Sequence, residues 1–208
     1  LKLALALLTP FLLAACVSVG LGGDVPAQAA YRLRDAGVAT VPRAQPLVAA
    51  LLIQPLPADA LADTVSIAYS RRANEFAFYQ FATWTERPVR QLPRLLQQRL
   101  QARGVAGAVA LAGEPLRADW LLTVGVDTVH HDISVAPGQA RVVLTAALFD
   151  RRSRVRVAQR QFEAGVSTSS VESAAAAQAM SLAVAGVFDA LVPWLEAELG
   201  AVAAKAAP

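Results

Sequence analysis

Residues 119–131, Asp-Trp-Leu-Leu-Thr-Val-Gly-Val-Asp-Thr-Val-His-His, decide the fold. Trp120, Leu122, Val124, Val126 and Thr128 recur at every second position, which predicts a strand with one apolar face. Residues 140–150 repeat the alternation through Val142, Leu144, Ala146 and Leu148. Asp150-Arg151-Arg152-Ser153 is a tight connection, and residues 154–166 return. Three such segments in succession predict an antiparallel meander. Beyond it, Ser169 and Glu172 have the spacing of a capping box. A long helix should follow, with Met180, Val184, Val187, Phe188, Leu191, Leu195 and Leu199 as its apolar stripe and alanines favouring its first turns. Gly200 is the expected stop, and residues 201–208 the expected loose tail.

Upstream of the meander, Val48 to Ile53 form an apolar run between Pro46 and Pro55, short enough to be a buried strand. Residues 65–69 alternate, and residues 75–84 collect Phe76, Phe78, Tyr79, Phe81 and Trp84. With Arg71, Arg72, Ala73 and Asn74 between them, the two segments predict a hairpin. The alternation of the aromatic run suits one buried strand face, so these rings are expected in the core rather than on a binding platform. Pro88 opens a helix striped by Leu92, Leu95, Leu96 and Leu100, with Arg90, Arg94, Gln97, Gln98 and Arg103 outside; Gly104 stops it before a strand at 105–111. Each helix must bury its stripe against something. The reading is α+β: a single largely antiparallel sheet with two amphipathic helices packed on one face.

The start of the chain speaks to location. Lys2 precedes an apolar run from Leu3 to Leu13, and Leu13-Ala14-Ala15-Cys16 is a bacterial lipobox. The run is too short for a bilayer core, which needs about 20 apolar residues, so residues 1–15 read as a lipoprotein signal peptide. Cys16, the sole cysteine, is the expected lipidation site. No cofactor is expected beyond that covalent N-terminal lipid. Residues 16–45, punctuated by Gly20, Gly22, Gly23, Pro26 and Pro42, read as a lipidated tether, within which Tyr31 and Leu33 could add a short strand to the body. Residues 46–200 form the α+β domain. No segment after Cys16 looks both long and uncharged enough to span a bilayer. With its one thiol committed to lipid, the domain has no disulfide and must stand on its own core.

The formal charge is +3, including Lys2. No dense basic stripe with interleaved aromatics appears, so nucleic acid is not an expected partner. His130 and His131 are the only histidines; adjacent on a strand, they point to opposite faces and cannot share a metal. They read as a solvated strand end. There is no His-Glu-x-x-His, no glycine-rich phosphate loop and no Gly-x-Ser-x-Gly elbow. No catalytic residue and no metal ligand is assigned, and the protein is not expected to be an enzyme. Arg151, Arg152, Arg154 and Arg156 cluster at the last hairpin. They are candidates for contact with anionic headgroups or an acidic partner, or form a charged edge that keeps the sheet from pairing with neighbours.

The lipobox, Tyr31-Arg32-Leu33, the apolar strand at 47–56, Ile67-Ala68-Tyr69-Ser70, then Tyr79 and Trp84 ahead of Pro88 and its helix resemble the ABC-type transport auxiliary lipoprotein family, the family of paraquat-inducible protein C. The resemblance implies a non-catalytic lipoprotein on the periplasmic face of the outer membrane. It implies partnership with ABC transporter subunits and an MCE-domain periplasmic protein in lipid transport between membranes. It gives Tyr69, Tyr79 and Trp84 structural roles and supplies no enzymatic residues. Val17 after Cys16, where aspartate would retain such proteins at the inner membrane of some bacteria, agrees with the outer membrane. A homo-oligomeric ring matching an oligomeric conduit is a further expectation. The competing readings are a periplasmic interaction adaptor of a secretion or envelope-assembly machine and a lipid carrier with a cavity under its helices.

Overall fold

The computed structural model describes residues 27–37 and 41–206, with side chains to 204; the signal peptide and Cys16 lie outside them. In chain order the elements are β1 (Ala29–Tyr31), β2 (Val48–Pro55), β3 (Ser66–Arg72), β4 (Glu75–Trp84), α1 (Pro88–Arg103), β5 (Ala106–Leu111), β6 (Trp120–Asp132), β7 (Gln139–Asp150), β8 (Val155–Ser167) and α2 (Ser173–Ala206).

The expected meander is present. β6, β7 and β8 pair antiparallel along nearly their whole lengths. The opposite edge of β6 is shared. β2 runs parallel to its first half, Leu51 beside Trp120 and Pro55 beside Val124, while β3 runs parallel to its end, Tyr69 beside His131. The sheet therefore forks, with β5 parallel to β2 on one branch and β4 and β1 beyond β3 on the other. The α+β class holds, but the sheet is mixed rather than largely antiparallel, because β1, β2 and β5 join only through parallel pairs. β2 shows why. Leu51, Leu52 and Ile53 are all buried, so a strand flanked by parallel neighbours and covered on both faces reads as a continuous apolar run.

Both helices lie on one face, where Leu92, Leu96 and Leu100 of α1 and Met180, Val187, Phe188 and Leu191 of α2 share a core with Ile53, Leu122, Val124 and Leu144. A small second cluster, Leu52, Ala110 and Ala118, lies apart from it. A bulge between Val126 and Thr128 shifts the alternation of β6. As a result Val129 and His131, not Thr128, continue the buried face beyond Val126.

α1 begins at Pro88 and ends at Gly104, whose φ of 71° lets its amide reach the carbonyls of Leu100 and Gln101. α2 departs from expectation at both ends. The Ser169–Glu172 capping box does not form; the Glu172 amide donates to Ser170 Oγ at 3.3 Å, and the helix opens with the Ala176 amide on the Glu172 carbonyl. Gly200 does not stop it, since a helical glycine costs only about 1 kcal/mol relative to alanine and the following alanines carry the helix to Ala206. Nor is it true that nothing after Cys16 could span a bilayer: residues Ser173–Ala204 are long and apolar enough, although 72% of their apolar 18-residue stretch is buried inside the fold.

The N-terminal segment is bound well before residue 45. β1 pairs with β4, Leu33 is buried, the Arg34 amide donates to Ser181 Oγ, and the Arg43 amide donates to the Arg103 carbonyl at 2.8 Å.

Candidate functional site

The histidine pair is not a solvated strand end. His131 is fully buried and His130 nearly so, because the β3–β4 hairpin closes over the end of β6. The two rings do point to opposite faces. Phe76 meets His130 edge-on with ring centroids 5.2 Å apart, while Tyr79 packs beside His131 at 6.3 Å. Tyr79 Oη lies 2.7 Å from His131 Nδ1 and donates to the Val171 carbonyl; Thr168 Oγ1 lies 2.9 Å from Nε2 and donates to the Pro137 carbonyl. Each hydroxyl has one proton, so a neutral imidazole satisfies three of these four contacts and an imidazolium all four. Burial pushes both histidines below their ordinary value, against the opposing pull of Asp132. Tyr79 is pushed up to about 12 by burial and by Glu172. His131 is a post that joins the hairpin, the turn before β7 and the entry to α2. Enclosed on all sides, it meets no solvent that could carry a substrate.

A second polar cluster binds the helices. Arg99 is only 6% exposed. Its Nε and Nη2 donate to Asp35 at 2.6 Å each, its Nη1 reaches Asp189, and its guanidinium lies 5.5 Å from the centre of the Phe188 ring. Arg103 makes a second link, donating from Nε to Glu196 at 2.7 Å. The leucine spacing of α1 contains the signal for Arg99: it sits three residues after Leu96 and four after Leu95, on the buried stripe, where an arginine requires partners.

The arginines proposed for contact sit at the β7–β8 turn, beside the start of β6, where the Arg151 amide donates to the Asp119 carbonyl. Arg151 also donates from its side chain to the Ala118 carbonyl at 2.8 Å, Arg152 to Asp119 at 2.7 Å and Arg156 to Gln159 at 2.6 Å. Arg154, in the left-handed region at φ 60°, is exposed. The turn is thus fastened to the body while its outer surface stays basic.

The aromatic run corrects the sequence reading. Trp84 is buried and Tyr79 half-buried, but Phe76, Phe78 and Phe81 are 41%, 46% and 42% exposed. Phe76 and Phe78 stand level with the end of β6, opposite Ser70 and Ala68. β4 packs extensively only on its sheet neighbours β3 and β1, so among the described residues no element lies over its outer face. A groove of about 880 Å³ runs beside α2, lined by Tyr31, Arg34, Gln178, Ser181 and Leu182. It lies under the N-terminal segment rather than beneath the helices, whose stripe is packed against the sheet. Among the described residues no group of three or more His, Cys, Asp or Glu side chains could hold a metal.

Residues 31–192 match the family of the ABC-type transport auxiliary lipoprotein component. The chain belongs to that family. Among solved structures, protein XCC0632 from Xanthomonas campestris is similar, with a TM-score of 0.72 and 24% identity over 82% of this chain and 96% of that one. A second, titled only as an uncharacterized protein, gives a TM-score of 0.57 and 13% identity over 86% and 98%. Both show the fold. No curated protein matches the chain. As a member of this family the protein is an auxiliary lipoprotein of ABC-type transport, which agrees with a site built from structural posts and clamps.

Proposed function

We propose that this protein is an outer-membrane-anchored periplasmic lipoprotein, lipidated on Cys16, that serves as a non-catalytic auxiliary component of an ABC/MCE-type system moving lipid between membranes. The family match over residues 31–192 carries the reading. The lipobox and Val17 support the anchor and its destination. Three acyl chains far exceed the single chain that gives only marginal membrane binding.

The fold supports a division of labour between its two ends. β1 runs parallel to β4, so the chain enters from the side of the β3–β4 turn, beyond Asp132. The Arg151–Arg154 turn lies at the other end of β6, roughly 40 Å away for 13 residues of strand. With the anchor on the entry side, the arginine turn faces away from the membrane, which favours a protein partner over headgroups. An MCE-domain protein docking there would find the domain already concentrated near its membrane.

The test is affinity purification of the tagged chain from detergent-solubilised envelopes. Recovery of an MCE-domain protein and transporter subunits is expected. Recovery of secretion or pilus components without them would move the protein to the adaptor class.

A further inference from the structure

We propose that the outer face of the β3–β4 hairpin, carrying Phe76, Phe78 and Phe81, is a membrane-docking surface that seats on the phospholipid layer holding the Cys16 acyl chains and so fixes the domain's orientation. The inference rests on the anchoring proposed above and adds to it a second point of attachment. Three observations carry it.

The first is the arrangement of the rings. Phe76 and Phe78 alternate with Tyr79, which turns inward to His131. A register shift in β3–β4 pairing, from Ala68↔Phe78 to Ser66↔Thr83, then resets the phase of β4. Because of it Phe81, next to the buried Ala82, stays on the side of Phe76 and Phe78. Three exposed phenylalanines on one face of one hairpin are unusual on a soluble surface. Phenylalanine is among the side chains that interfacial segments bury at the boundary between headgroups and acyl chains.

The second is charge. Arg71 and Arg72 stand at the turn of this hairpin. Arg72 pairs with Glu75 at 3.5 Å, while Arg71 lies 5.2 Å from the centre of the Tyr69 ring. Arg71 thus stands on the Tyr69–Tyr79 side, opposite the phenylalanines. At the tip of the hairpin, however, the long arginine side chains can reach anionic phosphates while the rings sit among the upper acyl carbons.

The third is where the chain arrives. β1 covers the edge of β4 only at Ala82–Trp84, and because it runs parallel to β4 its first residue lies on the side of the hairpin turn. Ala29 is the thirteenth residue after Cys16, a reach of at most roughly 45 Å. The hairpin turn lies about 23 Å from Ala82 along β4. The anchor and the phenylalanines can therefore occupy one surface.

Size argues against a protein occupant. Three rings of about 200 Å², each less than half exposed, offer on the order of 250 Å², well below the roughly 800 Å² per partner of a stable protein interface. A membrane already holding the lipid tether needs no such area, because the tether supplies attachment and the rings supply attitude.

Hydroxyl-radical footprinting of the full lipidated chain on vesicles of phosphatidylethanolamine and phosphatidylglycerol at 3:1 tests this, with Cys16→Ser free in solution as reference. Oxidation of Phe76, Phe78 and Phe81 should fall at least threefold on vesicles, with Val155 and Val157 unchanged. In Phe78→Ser/Phe81→Ser the chain should still float with the vesicles while Phe76 loses its protection. A chain that floats with all three rings oxidised as in solution overturns the docking surface and leaves the anchor intact. A lipidated chain that does not float removes the anchor and the docking surface together. Protection that appears in Cys16→Ser without vesicles and grows with protein concentration assigns the face to a second copy, against the membrane.

Discussion

Arg99 and Asp35 form a two-pronged ion pair, Nε to Oδ2 and Nη2 to Oδ1, both at 2.6 Å, which ties the N-terminal segment to α1. Through Nη1 the same guanidinium holds Asp189 and the Ala185 carbonyl of α2. Removing one partner of a buried pair commonly costs about 3–5 kcal/mol. Asp35 and Asp189 keep contact with water, so Arg99→Ala should fall at the low end of that range, measured by urea unfolding. Asp35→Ala should cost more than Asp189→Ala, whose carboxylate is mostly exposed. Equal and negligible losses in all three would show that the clamp does not hold the segment.

The C-terminal helix is part of the single core. Phe188 is fully buried, and Phe188→Ala should cost about 3–5 kcal/mol, the usual range for emptying an aromatic site. Ala176 is also fully buried, so the first turns of α2 face the sheet and Ala176→Leu should cost about 1–3 kcal/mol by overpacking. An unchanged urea midpoint for Phe188→Ala would mean that α2 is detached.

The histidines set a pH dependence whose sign follows from their burial. Both are held below the ordinary value, by desolvation first, and at His130 also by Arg141. The unfolded chain therefore takes up protons at higher pH than the folded one. Stability is fully present above the unfolded value of about 6.5 and is lost as pH falls through the lower folded values. Urea midpoints at pH 7.5 and 5.5 should show that loss, and His130→Asn should reduce it. A midpoint that rises toward pH 5.5 would mean that the imidazolium gains more from its four contacts at His131 than burial takes away.

Gly138 tests the His131 post from another side. Its φ is +106°, and a Cβ there would collide with His131 Nε2. Gly138→Ala should lower the thermal midpoint by several degrees and expose His131 to faster chemical modification by diethyl pyrocarbonate. An unchanged midpoint with an unreactive ring would show that the turn carries no weight in the fold.

The parts of the fold legible in the sequence were those governed by local periodicity. The alternation at Leu122–Val126, the leucine stripe from Leu92 to Leu100 and the stop at Gly104 each state their own geometry. Pairing partners do not. Nothing in the apolar run Leu51–Ile53 says that it lies between two parallel neighbours, and a single bulged residue, Asp127, moved Val129 and His131 inward in place of Thr128. The aromatic run misled for a related reason: alternation shows that Phe76 and Phe78 share a face, but only the packing of β4, confined to its sheet neighbours β1 and β3, shows that the face is uncovered. The arginine turn at 151–154 was legible as charge. That Arg151 and Arg152 are fastened to Ala118 and Asp119 depends on a loop distant in sequence.

The proposed docking site for a periplasmic MCE-type protein is the basic end of the domain, remote from the chain's entry. Arg152→Glu/Arg154→Glu should leave the thermal melt nearly unchanged, because exposed ion pairs such as Arg152–Asp119 contribute little, yet should weaken that association. Photo-crosslinking from position 154 in intact envelopes is the direct measurement. An adduct with an MCE-domain protein, lost when Arg152 is reversed to glutamate, is the predicted result. Adducts only with components of a secretion machine, or none while the tagged chain still recovers its partners, would contradict it.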